Sequence, residues 1–236
     1  MRKNPFPQFF QRSHFLAVLV LLIALPHSLG AQSGKFSSEL GLCVPTPLDP
    51  PLERLQKGNK CFVVDNHFIG VRDKAYREDK QSPYAIILSC SDSRVPPELV
   101  FGEWGSLGKL FVIRTAGNVI DPVALGSIEY GAQILKAKLV FVLGHEKCGA
   151  VEAARAQAAS PQNPNIAWFL DPIKLAVERT KGKPEEETVK ENVRVQIQNL
   201  RNQSSIIREL ETKGLKIAGG FYNISSEKKT GVVDFF

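Results

Sequence analysis

Three short apolar runs, Tyr84–Leu88, Leu110–Ile113 and Leu139–Leu143, each stop abruptly at polar or turn-forming residues, and helical patterns lie between them. An apolar run of that length bounded by turn formers reads as a buried strand breaking into a loop. Leu215–Phe221 reads as a fourth strand, and Gly231–Phe236 is placed to pair with it as an edge. Helical spacing appears over 52–68, where Leu52, Leu55, Cys61, Phe62 and Val64 recur among Lys, Arg and Glu, with Gly58 placed to interrupt it. It returns after Asp121, which reads as a cap followed by Pro122 in the first turn. That helix should carry Val123, Ile128, Ile134 and Leu135 inward and finish near Lys136 and Lys138. Residues 165–180 and 185–212 give two more helical patterns. This alternation predicts an α/β fold: a mainly parallel central β-sheet, about four parallel strands plus an edge strand, flanked by helices. In open sheets of this kind, sites lie at the carboxyl ends of the strands.

Two of those ends carry ligand-type residues. After the first run come Cys90, Asp92 and Arg94, alternating with Ser91 and Ser93, so an extended backbone would point all three to one side. After the third come His145 and Cys148, three apart as strand passes into helix, a spacing that puts both donors on one face of a starting helical turn. The helix start also favours thiolate at Cys148. Between them, the second run leads into RTAGN, Arg114–Asn118, where Gly117 and Asn118 mark a turn. If neighbouring parallel strands bring the two ends together, two thiolates and an imidazole, with a carboxylate or water in fourth place, suit zinc rather than magnesium or calcium. The alternative is that the four cysteines are buried hydrophobes or form two disulfides. Residue inventory favours the metal. Beyond residue 31 only two histidines remain: His145 stands beside a cysteine at a strand end, whereas His67 ends a polar helix and reads as a surface residue.

Arg2, Lys3 and Arg12 precede an apolar run, Phe15–Leu25, closed by Pro26 and the small residues of HSLGAQ, the form of a signal peptide over residues 1–31. Cleavage fits after Gly30 or Ala31, and the run is about half the ~20 residues that span a bilayer, so no membrane attachment is expected once it is removed. The formal charge of +6 then falls to 27 basic against 24 acidic residues, too small an excess to suggest nucleic acid. Residues 32–51, with Pro45, Pro47, Pro50 and Pro51, read as an irregular arm able to lie across a partner subunit, and residues 71–82 as a solvated, charged segment. The export route is expected to end in the periplasm, an organelle lumen or the medium.

CSDSR at Cys90–Arg94 together with GHEKCGA at Gly144–Ala150 resembles the β-class carbonic anhydrases. The likeness runs over 52–236 and takes in LQKGNKCFV, RTAGN and the ending GLKIAGGFYNISSEKKTGVVDF; the signal and the arm fall outside it. The resemblance implies zinc held by Cys90, His145 and Cys148, and a catalytic dyad of Asp92 and Arg94. It implies carbon dioxide hydrated to bicarbonate and a proton by zinc-bound hydroxide, with Asp92 accepting the hydroxide's proton in a hydrogen bond. In some members the same carboxylate binds the metal and shuts the site, so Asp92 would be a fourth ligand in a closed form only. A homodimer or larger homo-oligomer is implied too, with sites at the interface. Two alternatives stay open: a hydrolase of carbonyl sulfide or carbon disulfide on the same ligands, and a non-catalytic bicarbonate-binding protein.

The departure from the family pattern is Gly102–Lys109, GEWGSLGK, where many members have a shorter loop with a glutamine that holds bicarbonate. Here Glu103 or Trp104 falls nearest, and neither replaces an amide donor. Cys61 stands where relatives often have a basic residue, and an oxidising compartment would let it pair with Cys43, tying the arm to the first helix; two unpaired buried thiols are the alternative. Asn202 and Asn223 begin N-x-S triplets.

Overall fold

Strand and helix alternate along the chain from Pro51 onward. The computed structural model describes residues 46, 48–64, 80–103, 107–156, 163–225 and 230–236. The signal segment, the arm up to residue 45 with Cys43, the side chain of Cys61, His67, residues 71–79 and Trp104 lie outside the described residues, as does the Cys43–Cys61 disulfide. Helix α1 spans Pro51–Val64 and β1 Ala85–Cys90; the short α2, Pro97–Val100, and β2, Leu110–Thr115, follow. Then come α3 at Pro122–Gln133, β3 at Leu139–His145, α4 at Gly149–Arg155, α5 at Pro164–Leu170 and α6 at Lys174–Arg179. The chain closes with α7 at Glu185–Gln203, α8 at Ser205–Thr212, β4 at Lys216–Tyr222 and β5 at Val233–Phe235.

The five strands lie in the order β2-β1-β3-β4-β5, with β5 antiparallel to β4 and the rest parallel. Both ligand-bearing strands, β1 and β3, are therefore central neighbours, in register Ala85↔Leu139 through Ser89↔Leu143. Every residue of both is buried, as the continuous apolar runs require of strands covered on two faces. Ile86, Leu88, Val140 and Val142 meet Ile128 of α3, Val193 and Leu200 of α7 and Ile207 of α8. Ala85, Ile87, Leu139, Phe141 and Leu143 meet Leu55 of α1, Val100 and Phe101 on the other face. Fully burying each such Leu, Ile or Phe contributes about 1.5–3 kcal/mol, so the two layers fix where the strand ends fall.

Local chemistry explains the helix boundaries. Asp121 Oδ1 accepts the Ala124 N–H at 2.7 Å and Pro122 fills the first turn, as the sequence predicts. That helix, however, turns Val123 and Ile134 outward, 78% and 58% exposed, and buries Ile128. The helical pattern over 185–212 is two helices. Ser204 breaks it, its Oγ capping α8 through the Ile207 N–H at 3.0 Å while donating to Glu129 at 2.6 Å. The 165–180 pattern likewise divides, into α5, a 3-10 turn over Asp171–Ile173 and α6. Gly58 does not interrupt α1. It lets the helix rest on the chain after α2: a Cβ there would stand 1.8 Å from the Phe101 carbonyl oxygen.

Candidate metal centre

Cys90 ends β1, His145 ends β3 and Cys148 lies just before α4, all buried. Because β1 and β3 are adjacent and parallel, their carboxyl ends meet: one sulfur, one imidazole nitrogen and a second sulfur lie within 4.8 Å of one another. The route differs in detail from the sequence expectation. His145 is the last strand residue, Glu146 and Lys147 turn with Lys147 at φ +53°, and Cys148 is the cap of α4, so the two donors converge across a turn rather than along one helix face. The chain after Cys90 is not extended either. Asp92 Oδ1 accepts the Arg94 N–H at 2.9 Å, folding 92–94 into a turn that brings acid and guanidinium face to face.

Each donor is held from behind. His145 Nδ1 lies 2.9 Å from the Glu146 carbonyl oxygen, which places the ring proton there and leaves the Nε2 lone pair facing the sulfurs. Nε2 is buried and has no hydrogen-bond partner. Cys90 Sγ accepts the Gly117 N–H at 3.3 Å; Gly117, at φ +67°, offers it from a left-handed turn that a side chain would strain. The neighbouring Cys148 thiol draws the Cys90 thiol below its ordinary range, against the opposing effect of burial, with His145 helping. The same contact and burial push Cys148 up. The two sulfurs face each other in a buried gap beside an orphaned imidazole nitrogen. Two soft sulfurs and one imidazole fit zinc.

Beside this cluster, Arg94 holds both oxygens of Asp92: Nε reaches Oδ1 at 2.9 Å and Nη2 reaches Oδ2 at 2.6 Å. That pairing holds the Asp92 carboxyl at about 2, so it is an acceptor across the neutral range. Oδ2 stands 4.0 Å from His145 Nε2, in an arrangement that gives the carboxylate to Arg94. Arg94 Nη2 also donates to the Lys147 carbonyl at 3.0 Å, linking the dyad to the turn that carries Cys148.

Several supporting residues escape a reading of motifs alone. Arg114, in RTAGN, donates from Nε to the Cys90 carbonyl at 3.0 Å and from Nη2 to the Asp92 carbonyl at 2.6 Å, pinning the CSDSR turn. Glu146 accepts the Ile224 and Ser225 N–H groups, and Lys147 donates to Ser225 Oγ, so the middle of GHEKC grips the chain beyond β4. In α7, Asn192 donates to the Gly117 carbonyl and accepts from Gln196, which accepts the Ile120 N–H, all buried. The signal was present as two amides four apart among buried apolar positions, but not their partners.

Glu103 is held inside the chain. It is 3% exposed and takes Arg54 Nε at 2.9 Å, Arg54 Nη2 at 3.4 Å and the Tyr84 hydroxyl at 2.9 Å, tying the 102–109 loop to α1. Of the two N-x-S triplets, Asn223 is buried and donates to Val232 O, while Asn202 is exposed near the end of α7.

Two cysteines and a histidine gathered at the carboxyl ends of central parallel strands, with a clamped acid beside them, define an α/β protein with a cluster that could hold a soft metal ion. The chain belongs to the carbonic anhydrase family, in its β class: the family model described as carbonic anhydrase matches residues 85–229. It is 46% identical over 105 residues to carbonic anhydrase 2 of Mycobacterium tuberculosis, covering 43% of this chain and 50% of that one. It is 35% identical over 162 residues to a carbonic anhydrase of Pseudomonas aeruginosa, covering 62% of this chain and 72% of that one. A chain from the crystal structures of two tetrameric β-carbonic anhydrases of Sordaria macrospora shares the fold, with a TM-score of 0.56 at 25% identity over 66% of this chain and 81% of that one. The chain spans about half the length of the mycobacterial relative it matches.

Proposed function

We propose that this protein interconverts carbon dioxide and bicarbonate, with zinc held by Cys90, His145 and Cys148. The observation that carries the reading is the buried, unpartnered His145 Nε2 facing two sulfurs beside the Asp92–Arg94 pair. The chemistry such an ion supplies is ionisation of water near neutral pH, from a pKa of 15.7 to about 7, giving hydroxide as the nucleophile. Asp92, ionised and fixed at both oxygens, has no proton to give; it accepts one in a hydrogen bond and so aims the nucleophile's lone pair. Val119, Val151 and Phe221 pack with the two cysteines in one buried apolar cluster, which keeps bulk water from the sulfurs on that side. One water and one carbon dioxide give bicarbonate and a proton. Swinging Asp92 off Arg94 would add a fourth ligand and close the site.

The outer edge of β2 has no strand partner among the described residues, and beside it α3 exposes Val123, Tyr130 and Ile134. An apolar helix face next to an open sheet edge supports a homodimer or larger assembly. Residues 1–31 support export to the periplasm or beyond. The tied-off Glu103 leaves no amide donor at the loop's family position, which keeps a sulfur analogue of carbon dioxide as the second candidate substrate.

Stopped-flow carbon dioxide hydration with metal analysis of the same sample tests the reading. Asp92→Asn and Arg94→Ala are expected to lower kcat by about 100-fold or more with zinc retained. Normal rates in both would leave the dyad without a role, and zinc-free active protein would overturn the metal assignment.

A further inference from the structure

The peptide between Lys147 and Cys148 is gripped at both ends. Its carbonyl accepts Arg94 Nη2 at 3.0 Å, and its N–H donates to Glu185 Oε1 at 3.0 Å. Glu185 opens α7, and its carboxylate makes no other hydrogen bond among the described residues. The mount is firm: Arg155 of α4 donates to the Lys183 carbonyl at 2.9 Å and to Thr188 Oγ1, and Thr180 Oγ1 meets Thr188 Oγ1 at 2.7 Å. The start of α7 is thereby fixed against the helix that begins after Cys148.

We propose that Glu185 is a positioning residue that sets the Cys148 sulfur and the Asp92–Arg94 pair together, by orienting the one peptide plane they share. The inference rests on the zinc reading. An acceptor on the N–H side fixes the rotation of that plane; rotation fixes where the Cys148 Cα–Cβ bond aims and where Arg94 finds its carbonyl. The turn needs such a restraint, because Lys147 holds a left-handed φ that a non-glycine residue adopts at a cost. Outer-shell partners of metal ligands typically carry 10- to 100-fold in affinity.

The test compares wild type with Glu185→Ala, Glu185→Gln and Glu185→Asp in the full folded protein. Zinc affinity is read by competition with a chromophoric chelator, and sulfur geometry by the thiolate-to-metal absorption of the cobalt(II)-substituted protein. Alanine is expected to weaken zinc binding by about 10- to 100-fold, to shift the cobalt spectrum, and to lower kcat at saturating zinc. Glutamine keeps the acceptor and is expected to restore all three. Aspartate keeps the charge but is one methylene too short, and should behave as alanine does; it decides the matter if the alanine variant fails to fold. Wild-type zinc affinity and an unshifted spectrum in the alanine or aspartate variant would overturn the inference, as would equal losses in glutamine and alanine. Failure of wild type itself to bind zinc would instead overturn the reading beneath it, and this inference with it.

Discussion

Replacing Arg54 with methionine isolates the most deeply buried ion pair among the described residues. The Arg54 and Glu103 side chains are 10% and 2% exposed, and the guanidinium also lies 4.4 Å from the centre of the Tyr84 ring. Removing one partner of a buried pair costs about 3–5 kcal/mol, because the remaining charge is stranded. A surface pair would cost about 0–1 kcal/mol. At about 2–4 °C per kcal/mol for a chain of this size, Arg54→Met should lower Tm by about 6–20 °C. Urea unfolding and calorimetry of the metal-loaded protein give both numbers. Replacing the whole cluster, Arg54→Met with Glu103→Leu and Tyr84→Phe, leaves no buried polar group behind and should recover most of the loss. The recovered variant should still hydrate carbon dioxide, since Glu103 serves α1 rather than substrate. A loss under about 1 kcal/mol for Arg54→Met would show that the pair is solvated and refute the reasoning.

Gly58→Ala should lower stability by about 3 kcal/mol in the same unfolding assay, since its Cβ meets backbone, the Phe101 carbonyl oxygen, rather than a side chain able to yield. Burial, and after it the charge of Glu103, keeps the Tyr84 hydroxyl protonated well above the ordinary 10.0. The unfolded chain thus releases that proton first, so the stabilisation is complete below about pH 10 and falls as pH rises beyond it. Above about pH 10, unfolding free energy against pH should fall more steeply in wild type than in Tyr84→Phe, by about 1.4 kcal/mol per unit. Asn192→Leu strands the Gly117 carbonyl and Gln196, at about 1–3 kcal/mol in urea unfolding. It should also weaken zinc binding in a chelator competition, because Gly117 supports Cys90.

What the sequence made legible was whatever repeats at short range. Apolar runs ending in turn formers located β1 to β4, and Asp121-Pro122 located the start of α3, because strand burial and capping are decided within a few residues. Cys90, His145 and Cys148 were legible as donors, yet that they meet follows from strand order, which no local pattern encodes. The outward Val123 and Ile134 are not legible for the same reason: helical spacing gives the apolar positions of α3, and only the packed sheet and α8 decide which of them are covered. Ser204 caps α8 locally but also bonds Glu129, 75 residues away, and the place of Glu103 depends on Arg54, 49 residues away. Polar partners at such separations are fixed by packing, so Arg114, Glu185 and Asn192 gained their roles only from the folded chain.

Strands β1 and β3 are flanked on both sides by other strands, and they supply two of the three side chains that could hold a metal ion. Amides in such positions exchange their hydrogens at rates governed by opening of the entire molecule, whereas fraying consumes the margins first. Cys90 and His145 are the terminal residues of those strands, and Cys148 follows a turn, so local opening there should uncover the three side chains before the sheet itself comes apart: a chelator should strip a bound ion faster than the protein unfolds.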